Sequence, residues 1–299
     1  MNKPINVLSL FDGISCGQVA LERAGIQVAQ YFASEIDKHA ITVTQHNYPS
    51  TVQLGDVTKV FTKDLPKIDL LTGGFCCQSF SFAGKQLNFN DPRGKLFFEC
   101  VRILQEIKEC NPNIKFLFEN VKMKKEYSDI ISEYLVVDFI QINSSLVSAQ
   151  NRVRNYWTNI PKVTQPEDKH ILTKDIIEHN ASYEFVHQDF YKNGKKRGNC
   201  WQYDGSGKGH NSQNFRASFL GGKMACLRYS GPHGAKILTD EGVRKTTIVE
   251  HERLQNLPDH YTESIEINKG KAAIGNGWTV NVIAHIFSFL AKEITLNQH

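Results

Sequence analysis

The chain has 299 residues, 40% of them hydrophobic and 22% charged, and a net charge of +4. That length accommodates one large α/β domain with a smaller partner, in a balance that excludes disordered and fibrous classes. No run reaches the roughly 18 apolar residues of a membrane span, and seven cysteines at irregular spacing describe neither a disulfide framework nor a zinc site.

The first apolar run, Val7 to Phe11, is too short for a signal peptide and predicts a buried strand ended by Asp12-Gly13. A cytoplasmic protein without membrane attachment is therefore expected. A helix from Gly17 to Ala24 follows, stopped by Gly25. Next come a strand at Tyr31–Ser34, a helix at Ile36–His46, and short strands at Thr51–Leu54 and Ile68–Thr72. Leu96–Glu109 predicts a long amphipathic helix, and Phe116–Phe118 a strand ended by Glu119-Asn120. This alternation predicts a doubly wound, mostly parallel Rossmann-like sheet over residues 1–160. From 161 to 243 the period is lost and Gly, Asn, Ser and basic residues dominate, so a smaller irregular β-rich domain is expected. Residues 244–299 return to the first domain, with helices at Ile248–Leu254 and Val280–Lys292.

The polar clusters follow strand ends, the edge where open α/β sheets bind ligands. The first loop, Phe11-Asp12-Gly13-Ile14-Ser15-Cys16-Gly17, lets backbone approach a ligand, yet the G-x-G-x-x-G pattern for a pyrophosphate is absent. Glu35 lies 22 residues after Gly13, a spacing that suits ribose hydroxyls. Asp56 closes the third strand and suits an adenine amino group. Together these describe an adenosine without phosphate, as in S-adenosylmethionine. Gly13 to Gly17 also fits G-x-S-x-G, the nucleophile elbow of hydrolases, although nothing in the chain resembles the glycine-rich oxyanion partner of those enzymes.

The fourth strand leads into Gly73-Gly74-Phe75-Cys76-Cys77-Gln78-Ser79-Phe80-Ser81. With Phe118-Glu119-Asn120-Val121, Gln150-Asn151-Arg152-Val153-Arg154, Arg253-Leu254-Gln255 and Gly275-Asn276-Gly277-Trp278-Thr279-Val280, it resembles, in order, the cytosine-5 DNA methyltransferase family. The family's nucleophile motif is G-G-x-P-C-Q-x-F-S; Leu8–Ile14, Asp91–Glu99 and Trp278 look most like its vertebrate de novo branch. The resemblance implies methyl transfer from S-adenosylmethionine, which becomes S-adenosylhomocysteine, to carbon 5 of a cytosine flipped out of double-stranded DNA. It implies Cys77 as nucleophile, Glu119 on ring nitrogen 3, Arg154 on the position-2 carbonyl, Arg152 supporting the pocket and Asn120 holding the loop. Cofactor contacts are implied for Phe11, Asp12, Gly13, Ile14 and Ser15, for Glu35, Ile36, Asp56, Val57 and Gly74, and for Asn276, Trp278, Thr279 and Val280. Cys76 departs from the family's proline, which removes a fixed φ beside the nucleophile. An RNA-directed relative is disfavoured by the lack of its C-F-T-x-x-Y signature, and a silent DNA-binding relative remains open because of Cys76.

Between Tyr191 and Lys236 stand nine Lys or Arg against the single acid Asp204, the footprint of a phosphate-binding surface. Expected DNA contacts are Ser79, Lys85 and Arg93 after the nucleophile, and Lys195, Lys196, Arg197, Arg216 and Arg228 in the basic segment. A monomer is expected, and the Lys- and Asn-rich usage points to a bacterial or phage origin, in the setting of restriction–modification.

Overall fold

A computed structural model describes residues 3–75, 94–179, 181–185, 194–197, 200–203, 216–227 and 235–296. Contacts divide the chain into two units. One comprises Met1–Ile142, Val153–Gln165 and Val282–His299; the other comprises Asn143–Arg152 and Pro166–Asn281.

The first unit is built on β1 (Ile5–Leu10), α1 (Cys16–Arg23), β2 (Val28–Ser34), α2 (Lys38–Asn47) and β3 (Val52–Gln53). These are followed by β4 (Leu70–Gly74), α3 (Gly94–Cys110), β5 (Lys115–Val121), α4 (Lys125–Leu135), β6 (Phe139–Asn143) and, after a short β7 (Gln150–Asn151), β8 (Val153–Thr158). The sheet runs β3-β2-β1-β4-β5-β8-β6. Strands β1 to β5 pair in parallel, and β8 pairs antiparallel with β5. Winding reverses between β1 and β4, and a crevice outside the carboxyl ends forms at such a reversal. The central strands are mostly buried and largely apolar, as parallel strands covered on both faces tend to be. Leu8, Leu10, Leu71, Phe116, Phe118 and Trp157 are fully buried in one core with α3 residues Ile103 and Leu104. At Gly73 an added Cβ would sit 3.3 Å from the Leu10 carbonyl oxygen and 3.3 Å from the Phe118 ring, so a side chain here would push β4 a few tenths of an ångström from its neighbours.

The expected helix at Ile36–His46 begins two residues later. The Ile36 and Asp37 amides are taken by the Glu35 carboxylate, and Asp37 caps α2 by accepting from His39 N at 2.8 Å.

In the second unit β9 (Gly194–Arg197), β10 (Cys200–Tyr203), β11 (Arg216–Phe219), β13 (Lys236–Thr239) and β14 (Gly242–Lys245) form a sheet in the order β14-β13-β11-β10-β9. A two-residue strand β12 (Met224–Ala225) pairs with β7. Helices α5 (Ile248–Leu254) and α6 (Ile267–Asn276) belong to this unit. The last helix, α7 (Val280–Leu296), runs on into the first. Arg244 and Glu250 form a buried bidentate pair, at 2.7 and 2.9 Å, with the Tyr183 ring 4.0 Å from the guanidinium. Among the described residues no single helix is long and apolar enough to cross a membrane.

Candidate active site

Five loops at the carboxyl edge of the first unit hold most of the expected residues. The loop after β1 is bent by three residues in the left-handed region: Phe11, Gly13 and Ser15, with φ of 54°, 60° and 56°. Only glycine adopts this without strain, so packing against the core must hold Phe11 and side-chain bonds Ser15. Ser15 is fully buried and its hydroxyl donates to Asp12, with Thr44 Oγ1 at 3.0 Å and Gln18 Nε2 at 3.2 Å. A hydrolase elbow needs an exposed hydroxyl beside a histidine; this one is buried among Asp, Thr and Gln.

Glu35, at the end of β2, ties the first two loops together: Oε2 accepts from Gly13 N at 2.8 Å, and Oε1 from Ile36 N at 2.7 Å and Asp37 N at 2.8 Å. Beside it Ile36 is 75% exposed, an apolar side chain left open at the ligand edge. Asp56 accepts from Thr58 N and Thr58 Oγ1 through Oδ1, both at 2.9 Å, which holds its carboxyl below the usual range. Val57 is buried and fixes this turn. The loops at 11–15, 34–37 and 54–57 carry Asp12, Glu35, Asp37 and Asp56 and no Lys or Arg. Such a donor set repels a phosphate and suits an adenosyl group bearing positive charge.

The β4, β5 and β8 ends converge. Backbone register sets Gly74 beside Glu119 and Val121 beside Arg154. Glu119 is 8% exposed, and its Oε1 lies 2.9 Å from Arg154 Nε. Asn120 Nδ2 donates to the Phe75 carbonyl at 3.2 Å, while its Oδ1 accepts from Val121 N at 2.7 Å. Asn120 therefore fixes the residue from which the chain proceeds to Cys76 and Cys77. The Phe75 ring packs 5.1 Å from Phe97 of α3. Cys76, Cys77, Ser79, Lys85, Arg93 and Arg228 lie outside the described residues.

In the second unit, Arg152 is buried and gives its guanidinium to the carbonyls of Leu227, Gly275 and Gly277, at 3.0 to 3.2 Å. Gln255 joins the same motifs. Its Nε2 donates to the Ile274 and Gly277 carbonyls, and its Oε1 accepts from Gln150 Nε2 and Thr279 Oγ1. Thr279 and Val280 are buried, Trp278 is half-buried and Asn276 is exposed. Lys195 and Arg216 both stand in register with Gln202, on either side of it, while Lys196 pairs with Trp201 and Arg197 with Cys200. Sequence reasoning missed Gln150 and Gln255 as a joint hub, and Tyr31, whose hydroxyl donates to Asp12 Oδ1 at 2.7 Å. Among the described residues no group of three His, Cys, Asp or Glu could hold a metal.

Comparisons with known proteins bear on the chain as a whole. The chain matches C-5 cytosine-specific DNA methylase over residues 5–129 and 122–292. It is 30% identical over 300 residues to Type II methyltransferase M.NlaX of Neisseria lactamica, covering 94% of each chain. It is 35% identical over 210 residues to Orphan methyltransferase M.SPRI of Bacillus phage SPR, covering 64% of this chain and 44% of that one. Among solved structures, Entamoeba histolytica methyltransferase EhMeth superposes with a TM-score of 0.76 at 16% identity, covering 97% of this chain and 99% of that one, a likeness of fold.

Proposed function

The chain belongs to the C-5 cytosine-specific DNA methylase family and is a DNA cytosine-5 methyltransferase, and on that footing we propose how its residues divide the work. The observation that carries the reading is the Glu119–Arg154 pair, set by strand register beside Gly74, three residues before Cys77. Carbon 5 of cytosine is too weak a nucleophile to accept a methyl group directly. The Cys77 thiolate adds to carbon 6, and the displaced electron pair makes carbon 5 nucleophilic. Glu119 donates a proton or hydrogen bond to nitrogen 3, which prevents charge from accumulating on the ring. Arg154 holds Glu119 and the position-2 carbonyl. The incoming methyl replaces the carbon-5 proton, which leaves to a base, and expulsion of the thiolate restores Cys77.

S-adenosylmethionine supplies that methyl on a sulfonium centre. Its adenosyl part suits the acidic loops: Glu35 for the ribose, Asp56 for the adenine amino group, and Ile36 with Val57 for the apolar ring. Phe11 to Ser15, Gly74 and the Asn276–Val280 motif complete the proposed cofactor set. Double-stranded DNA is the proposed substrate, with the base extracted from the stack because carbon 6 is inaccessible within it. The basic segment of the second unit is the proposed target-recognition region, and a monomer in the cytoplasm of a bacterium or phage-infected cell the proposed setting.

The test is methyl transfer to duplex DNA and to tRNA, with 5-fluorocytosine DNA as a covalent trap. Wild type should methylate duplex DNA and form the adduct at Cys77. Cys77→Ser should abolish turnover, since an alcohol is far less ionised than a thiol at neutral pH, while cofactor binding survives. Transfer to tRNA alone, or an adduct on Cys76, overturns the reading.

A further inference from the structure

Asp12 receives three hydroxyl groups. Tyr31 donates to Oδ1 at 2.7 Å, Ser15 donates to Oδ2, and Ser9 donates as well. Tyr31 is a buried residue in the middle of β2, in register with Val7 of β1. Its link to the ligand edge is the hydrogen bond to Asp12. The Ser15 hydroxyl is itself fixed by Thr44 and Gln18, and Gln18 Nε2 reaches Thr51 Oγ1 at 2.9 Å. The charged group facing Asp12 among the described residues is Glu35, of like sign. Burial pushes the Asp12 carboxyl up to about 6; the Ser15, Ser9 and Tyr31 hydroxyls oppose this and Glu35 adds to it.

A carboxylate with no cation beside it stays ionised only as far as neutral donors hold it so. We propose that Tyr31 is a positioning residue that keeps Asp12 ionised and aimed at the ligand edge, where Asp12 meets the positively charged part of S-adenosylmethionine. This rests on the cofactor reading above.

The experiment measures S-adenosylmethionine binding to the full chain by calorimetry from pH 5 to 7.5, for wild type, Tyr31→Phe and Asp12→Asn. Wild-type affinity should fall about tenfold per pH unit below a knee near 6. Tyr31→Phe loses one oxygen and keeps its ring, so the fold is preserved. Its knee should move up by about one pH unit, with affinity at pH 7.5 within about twofold of wild type. Asp12→Asn should bind weakly, with no knee. An unmoved knee in Tyr31→Phe overturns the proposal, as does equal weakening at every pH, the mark of a purely structural role. A knee that persists in Asp12→Asn belongs to another group and also overturns it. If wild type binds no cofactor at any pH, the cofactor reading falls instead. The hydroxyl–carboxylate link is then judged by carbon-13 NMR of the Asp12 carboxyl in ligand-free protein, whose midpoint must rise in Tyr31→Phe for the link to stand.

Discussion

Asp12 links protonation to folding in a direction opposite to most surface carboxylates. Its carboxyl titrates near 6 in the fold against 3.8 when free, so between those values the folded chain binds the extra proton. Stability from this group is therefore full below about pH 4 and falls as pH rises through 6. Asp12→Asn should be more stable than wild type at pH 7.5 by ~3 kcal/mol, with the difference closing at pH 4. Denaturant unfolding at the two values checks it, and a pH-independent difference would remove the assignment. Glu35 has both oxygens engaged by loop amides. Glu35→Ala should raise the Michaelis constant for S-adenosylmethionine by about one to two orders of magnitude, from the loss of ~1.5–3 kcal/mol of charge-assisted bonding, and leave DNA affinity nearly unchanged. Steady-state kinetics with each substrate varied in turn decides this; an unaltered cofactor constant would place the ribose elsewhere. Glu35 is legible in the sequence because an acid about 20 residues after the first glycine loop is a recognisable ribose spacing. Tyr31 is not, because no such spacing marks it and its bond to Asp12 depends on the β1–β2 register.

At the scale of elements, Gln255 concentrates four hydrogen bonds at a fully buried amide. Gln255→Leu keeps much of the volume but leaves Gln150, Thr279 and two carbonyls short of partners. It should cost ~2–4 kcal/mol of stability in the second unit, read by hydrogen exchange at the 274–279 amides, and unchanged protection there would sink the idea. The motifs on either side of it were visible as letters, but their common attachment was not, since 105 residues separate Gln150 from Gln255. Strands β1, β2, β4 and β5 were readable because short, mostly apolar runs in them end at turn or polar residues. The structure adds α4, β6, β8 and α6, for which no element was expected. β8 carries Arg154 and Asn155 among its apolar residues, which blurs its strand pattern, whereas α4 buries Ser128, Ile131 and Leu135 at helical spacing, a signal that sequence reasoning missed.

For the whole molecule, the charge distribution makes a prediction about binding. If Lys195, Lys196 and Arg197 neutralise phosphates, an alanine at any one of them should weaken binding to all sequences alike. The salt slope should fall by about one unit for each phosphate no longer neutralised. Binding isotherms at several salt concentrations test this, and a changed sequence profile would mean that the residue reads bases. The order of units along the chain has a further consequence. α7 buries Val282, Ile283, Ile286 and Phe287 completely, and its Glu293 pairs with Lys115 at 2.6 Å within the first unit. On a ribosome working at ~5–20 residues per second, the roughly 140 residues from 143 onward delay that helix by about 7–28 seconds after β6 is made. Throughout that interval the growing chain must shelter an apolar surface whose cover has not yet been synthesised, and no amount of local propensity in the first 142 residues can shorten the wait.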